Sequence, residues 1–383
     1  MSKTDKIKGC FLLGACGDTL GAPIEGYKSL SEITDHFGPE GLGDIIDFPN
    51  AYNHGTDLPA GRVTDDTTML VTTAVALAKA GKDASIETMR ENLWQGYVNW
   101  VLPQRGGGAA KKNIDPKVKW PDMLPDFWFA CGAGHGTIAA LIQDKPGTVN
   151  VPVDYDVVLD GKQVKSPSHG CGGMMRVAPI GFLDKPPEEI FEIACESAAI
   201  THGNPPAYVA SGIIALYVHF AAQDMQMKDV LQNTRNILQK FSGNPAYTGG
   251  IKTCLKMIDH AEQKALEKPH DMTVMDALPR ELGFDRAFNA EPVLAHVTYA
   301  LCSATENIKS AMMLAVNHGG DSDSVGAIVG NILGARHGEK AVPREWREKL
   351  LQNKEITQMA EDFGRFVSDL STQQAYNRAP PQP

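Results

Sequence analysis

The stretch NHGGDSDSVGAIVGNILGA, residues 317–335, sets two negative charges, Asp321 and Asp323, at the mouth of a long run of small and apolar residues. The run from 324 to 336 is nearly apolar all round, which predicts a helix buried on every side. Carboxylates at the start of such a helix either cap it or gather ligands. An EF-hand loop would use Asp321, Asp323 and Gly326, but Val325 stands at its fifth position and Ile332 at its twelfth, where a bidentate Glu is required. Capping and the helix dipole, worth about 0.5–2 kcal/mol, account for one of Asp321, Asp323 or Ser324 and do not need all three.

GRVTDDTTML, residues 61–70, repeats the pattern: Thr64, Asp65, Asp66 and Thr67 open a second Ala-rich apolar helix, predicted over 64–79. If the two helix starts are neighbours, four carboxylates converge. A like-charged pair about 4 Å apart at an effective dielectric of about 20 costs roughly 4 kcal/mol, so the cluster calls for cations. Arg62 is the only basic residue inside either motif. The donors are carboxylate and hydroxyl oxygens, which select Mg²⁺, Mn²⁺ or Ca²⁺ over Zn²⁺, and their number suits a pair of ions. A third stretch, GCFLLGACGDTLGAPIEG (9–26), has small residues that let a helix pack closely on a neighbour. It carries Asp18 in that smooth surface and presents Glu25 beyond Pro23.

Further helices are expected at 188–200, 206–223, 228–240, 249–267, 290–304 and 306–316. Strand signal is confined to a hairpin, 156–165, turning at Asp160–Gly161. Residues 31–60 and 101–127 read as long irregular loops, with Trp120, Phe127, Trp128 and Phe129 embedded. Trp120, Trp128 and Tyr155 suggest a shaped rim to a pocket mouth, with core burial as the alternative. These features predict one all-α domain over 1–371, with long loops and a small β-hairpin insertion, and a disordered tail at 372–383.

The 383 residues carry a formal net charge of −10 and no run of Lys and Arg, which argues against nucleic acid or an anionic membrane as partner. Seven cysteines without a C-x-x-C read as reduced buried thiols of a cytoplasmic protein. The N-terminus does not read as a signal peptide, and no apolar stretch reaches the ~18 residues of a membrane span.

Five motifs in order, GACGDTLGAPIEG, GRVTDDT, GCGGMMRVAPIG, THGNP and NHGGDSDSVGAIVGNILGARHG, resemble the ADP-ribosylglycohydrolase family across residues 9–338. The resemblance implies an all-α helical bundle holding two Mg²⁺ ions, with Mn²⁺ as a substitute, on Thr64, Asp65, Asp66, Asp321, Asp323 and Ser324. It implies metal-dependent hydrolysis that frees ADP-ribose from a modified acceptor, a protein by preference and arginine-linked by preference, with Glu25 or Asp323 moving the proton. Gly170, Cys171, Gly172, Gly173 and Met174 would wrap the ADP-ribose, although the family often has Asn where this chain has Cys171. Arg176 would serve as a phosphate partner or a structural salt bridge. His202 would lie near the diphosphate and its ribose, and Gly134 would add a backbone donor. The alternative is an immunity or binding protein of the same fold that recognises an ADP-ribosylating toxin, or ADP-ribose itself, with little turnover.

Overall fold

The computed structural model describes residues 1–47, 59–104, 132–303 and 307–368. The fold is all-α. In chain order the helices are α1 (Lys3–Gly21), α2 (Leu30–Phe37), α3 (Asp65–Ala80), α4 (Ile86–Gln104) and α5 (His135–Leu141). They continue with α6 (Pro187–Ala199), α7 (Pro205–Ala221), α8 (Met227–Phe241), α9 (Pro245–Glu267) and α10 (Met272–Glu281). The last are α11 (Ala290–Ser303), α12 (Ile308–Val316), α13 (Ser322–His337), α14 (Arg344–Lys349) and α15 (Asn353–Ser368). The one sheet among the described residues is the expected hairpin, β1 (Asp156–Leu159) antiparallel to β2 (Lys162–Lys165), with Val157 opposite Val164.

The eight helices expected from periodicity are present, with ends shifted by four residues or fewer. Six more were not expected, among them the short α5. Helix α2 lies in the segment read as irregular from 31, and α4 extends into the one read as irregular from 101. Pro279 interrupts the pattern of α10. Helices α14 and α15 had no reading at all, although α15 has an apolar face with Ile356, Met359, Ala360 and Phe363 buried. Trp120, Phe127, Trp128, Phe129, Cys131 and the tail 372–383 lie outside the described residues. Tyr155 is 5% exposed and packs with Ala139, Ala140 and Val153 beneath the hairpin, so it is core rather than rim.

Helices α1 and α13 pair along most of their lengths, and their glycines explain how. A β-carbon at Gly9 would lie 2.4 Å from the Gly334 carbonyl oxygen; at Gly17, 2.1 Å from that of Gly326; and at Gly21, 2.4 Å from that of Ser322. The register runs in opposite directions, so the helices are antiparallel and touch backbone to backbone. Every residue of α13 from Ser322 to Ala335 is buried. This seam sets the C-terminal end of α1 beside the N-terminus of α13, and α3 packs against both. The helix expected at 206–223, α7, is buried between α6 and α9.

Candidate metal centre

Three helix ends meet at one point. Thr64 is the N-cap of α3: its hydroxyl accepts from the Asp66 N–H at 3.3 Å. Asp65 and Asp66 follow in the first turn, where the helix dipole favours negative charge. Asp321 is the N-cap of α13 but makes no side-chain cap bond, so its carboxylate is left for other work. Asp323 accepts the Ser324 N–H at 3.0 Å. Glu25 follows the 3-10 turn Ala22–Ile24 at the end of α1. Glu25, Asp321 and Asp323 each bring a carboxylate oxygen within 4.8 Å of the others, the first two half-buried and the third buried.

Asp18, which sequence reasoning left as a stray charge in a smooth helix, is the pin of this arrangement. Wholly buried, it accepts from the Thr64 N–H at 3.0 Å, the Thr67 N–H at 3.2 Å and the Thr67 hydroxyl at 2.5 Å. It thereby satisfies free amides at the start of α3 and ties that helix to α1.

The electrostatics follow from crowding. Burial pushes the Asp18 carboxyl up to about 6 against the hydrogen bonds from Thr67 and Thr64. Asp65 is pushed up to about 8, first by burial, then by Asp18 and Asp321. Burial also raises Glu25, Asp66 and Asp323 well above the usual carboxylate range, and the surrounding acids add to it. None of the Lys and Arg ion pairs among the described residues involves these side chains. Buried Asp66 Oδ1 has no hydrogen-bond partner among the described residues. An all-oxygen donor set, an orphaned carboxylate oxygen and uncompensated repulsion fit a hard divalent cation.

A pH dependence follows. In the metal-free fold Asp65 and Asp18 hold protons that the unfolded chain, with carboxyls near 3.8, has released. Their contribution to stability is complete below about pH 4 and is lost as pH rises through about 6 and then 8. The melting temperature in EDTA should therefore fall from pH 5 to pH 8. Saturating Mg²⁺ should flatten that fall, and parallel profiles with and without Mg²⁺ would refute the assignment.

Beside the acids lies a glycine-lined face. The Cys171 thiol donates to Asp321 Oδ2 at 2.8 Å, docking the segment 170–174 on α13. Burial, then Asp321, keep that thiol protonated. The Cys171 amide goes to the Phe288 carbonyl and the Met174 amide to that of Cys171. Gly173 packs on Ala198, and Met174 is 1% exposed. The segment read as wrapping a ligand thus turns only Gly170 and Gly172 outward, because its other groups are used within the fold. Gly134 N-caps α5, its backbone N–H donates to Asp65, and Gly132 lies on the same carboxylate.

Arg176 corrects the sequence reading. Among the described residues it forms no salt bridge, and its burial leaves no face open to a phosphate. It is 0% exposed, donates to the Ser197 carbonyl and the Thr201 hydroxyl at 2.8 Å each, and lies 4.1 Å over the Tyr97 ring. His202, 3% exposed, sits next to Gly170 and Gly172.

The family model described as ADP-ribosylglycohydrolase matches residues 1–375. This chain belongs to the ADP-ribosylglycohydrolase family. Among relatives, the mouse (Mus musculus) ADP-ribosylhydrolase ARH3 is 24% identical over 388 residues, covering 96% of this chain and 93% of its own. The ADP-ribosylarginine hydrolase Tri1 of Serratia proteamaculans is 44% identical over 59 residues, 15% of this chain and 16% of its own. A solved chain described as an ADP-ribosylglycohydrolase-related protein complex is similar with a TM-score of 0.60 at 21% identity, over 96% of this chain and 99% of that one, and shows the fold. The ADP-ribosylglycohydrolase family consists of hydrolases that act on ADP-ribosylated substrates and depend on divalent metal. No described helix is long and apolar enough to cross a membrane.

Proposed function

We propose that this chain removes ADP-ribose from a modified protein by hydrolysis at the anomeric carbon, with an arginine-linked acceptor favoured and two Mg²⁺ ions, replaceable by Mn²⁺, as cofactor. The observation that carries it is the meeting of Glu25, Asp65, Asp66 and Asp323, raised by burial and by the acids around them, with Asp321 beside them and no Lys or Arg ion-paired to any of the five among the described residues. The acceptor preference is supported by the short matching segment of the ADP-ribosylarginine hydrolase.

Thr64, Asp65, Asp66, Asp321, Asp323 and Ser324 would hold the ions. When bound, divalent cations supply Lewis-acid chemistry and lower the pKa of a water. Asp18 keeps the first turn of α3 in place, and Cys171 keeps the glycine-lined face against α13. That face lets a sugar–phosphate chain approach backbone closely, while His202 offers the edge of its ring. Glu25 is the proton carrier. It is half-buried at the rim of the cluster, whereas Asp323 is 3% exposed and already bonded to the Ser324 amide. Its carboxylate takes the proton of the attacking water as that oxygen bonds to the anomeric carbon. The bond to the acceptor nitrogen breaks with its electron pair, and Glu25 returns the proton to that nitrogen.

Assaying arginine-linked and serine-linked ADP-ribosylated proteins with Mg²⁺, with Mn²⁺ and with EDTA tests the reading. Release from the arginine-linked substrate that EDTA abolishes is expected. Tight ADP-ribose binding with no release from any substrate would replace it with the binding-protein alternative. Glu25→Gln should keep Mg²⁺ binding by calorimetry and lose about 10²–10⁴-fold in kcat, the usual weight of a general acid–base group. Undiminished turnover would remove Glu25 from the mechanism.

A further inference from the structure

Arg176 poses a physical problem: a wholly buried cation with no carboxylate beside it among the described residues. Taking a guanidinium out of water is costly, and such a group persists where fixed dipoles and hydrogen bonds replace the solvent. Here they come from the Tyr97 ring face and from two acceptors on and after α6. Both N–H groups of its Nη2 are used, one on the Ser197 carbonyl and one on the Thr201 hydroxyl, each at 2.8 Å.

With a lone pair of Thr201 Oγ1 engaged by the guanidinium, the hydroxyl hydrogen must find an acceptor. Two are in range: His202 Nδ1 at 2.7 Å and the Ala198 carbonyl at 3.4 Å. The shorter bond is the better one. A hydroxyl that donates to Nδ1 requires that nitrogen to be bare, which places the hydrogen of a neutral imidazole on Nε2. Protonation at both nitrogens is opposed by burial and by the guanidinium one residue away in the chain of bonds, which together hold His202 down to about 3.

Nε2 is also the nitrogen that faces the glycine-lined surface. A β-carbon at Gly172 would lie 3.2 Å from it, and one at Gly170 would lie 3.4 Å away. Side chains at either position would cover the donor, and glycines leave it open. Nε2 itself has no hydrogen-bond partner among the described residues.

We propose that Arg176 and Thr201 are positioning residues that lock His202 as a neutral Nε2–H donor, aimed through Gly170 and Gly172 at an anionic or hydroxyl oxygen of the ligand. The identity of that ligand as an ADP-ribosyl group rests on the functional reading above; the lock itself does not. The relay is anchored further back. The Tyr97 hydroxyl under Arg176 is within 2.7 Å of Thr73 Oγ1 on α3 and 3.0 Å of Ser197 Oγ. The helix that carries Asp65 and Asp66 thus also supports the histidine.

The test separates the two layers. Nitrogen-15 NMR of the histidine-labelled protein, with His202 assigned by its loss in His202→Gln, reads the tautomer directly. At pH 7 and without ligand, a bare Nδ1 and a protonated Nε2 are expected. Thr201→Ser should keep that signature, and Thr201→Val should lose it. ADP-ribose should bind Thr201→Val about 10- to 100-fold more weakly than wild type, the weight of a hydrogen bond to a charged group, and Thr201→Ser close to normally. A protonated Nδ1 in the wild type would overturn the proposal, as would a Thr201→Val protein with the wild-type signature. Wild-type ADP-ribose affinity in a Thr201→Val protein whose tautomer has changed would overturn the ligand-facing half. If ADP-ribose bound no variant and not the wild type, while the tautomer followed Thr201 as stated, the functional reading would fall and the lock would stand.

Discussion

In EDTA, Asp323→Asn will melt above the wild type, and in Mg²⁺ it will release ADP-ribose about 10³-fold more slowly, the equivalent of several kcal/mol of lost transition-state stabilisation. The first half follows from burial. Asp323 is 3% exposed, and burial, then Glu25, Asp66, Asp321 and Asp18, raise its carboxyl well above the usual range. Its negative charge therefore destabilises the metal-free fold. Asparagine keeps the shape, and its carbonyl oxygen can still accept the Ser324 N–H that Asp323 holds at 3.0 Å. The second half follows from the same charge. Its loss takes one carboxylate out of the ligand set proposed for the ions, beside Asp321. Mg²⁺ should raise the melting temperature of the wild type by binding the folded state, and should leave that of the variant nearly where it was. A variant that melts below the wild type in EDTA, or gains as much from Mg²⁺, would show that these acids do not repel one another around a cation site.

What could be read in the amino-acid sequence was local. The acidic starts of α3 and α13 stand out because capping explains one polar residue and each start carries several. The small-residue face of α1 was legible as a close-packing surface, and it meets the glycines of α13. Asp18 was not legible, because the amides it satisfies belong to Thr64 and Thr67, 46 and 49 residues away. Arg176 misled for a related reason. An arginine in a glycine-rich segment reads as a phosphate binder, and only tertiary packing shows Tyr97 and α6 closing over it. Cys171 was read through its backbone, yet it is its thiol that touches Asp321. The irregular readings of 31–60 and 101–127 hid helical ends, because Gly and Pro were weighed more heavily than the short apolar patterns beside them.

The seam of α1 and α13 carries both the fold and the site, so alanine at Gly326 should cost stability and metal affinity together. Two effects of opposite sign compete. Replacing glycine by alanine in a helix interior gains up to about 1 kcal/mol from backbone entropy. At Gly326, however, the new β-carbon would lie 2.5 Å from the Gly17 carbonyl oxygen and 2.7 Å from Val316 Cγ1. The valine can turn away, but the carbonyl belongs to the backbone of α1 and cannot. Overpacking of this kind costs about 1–3 kcal/mol or more, so the clash wins and the helices must separate. Asp321, Asp323 and Ser324 stand just before Gly326 on the same helix start, and a displaced first turn spreads the ligand oxygens. Gly326→Ala should therefore melt lower than the wild type and bind Mg²⁺ more weakly. Gly249→Ala is the internal control. It lies in the helix interior of α9, and a β-carbon there would meet nothing within 4 Å, so the same substitution should raise the melting temperature slightly and leave Mg²⁺ affinity unchanged. If Gly326→Ala melted at or above the wild type while Gly249→Ala did likewise, backbone-to-backbone contact would not be what holds the acidic end of α13 against α1.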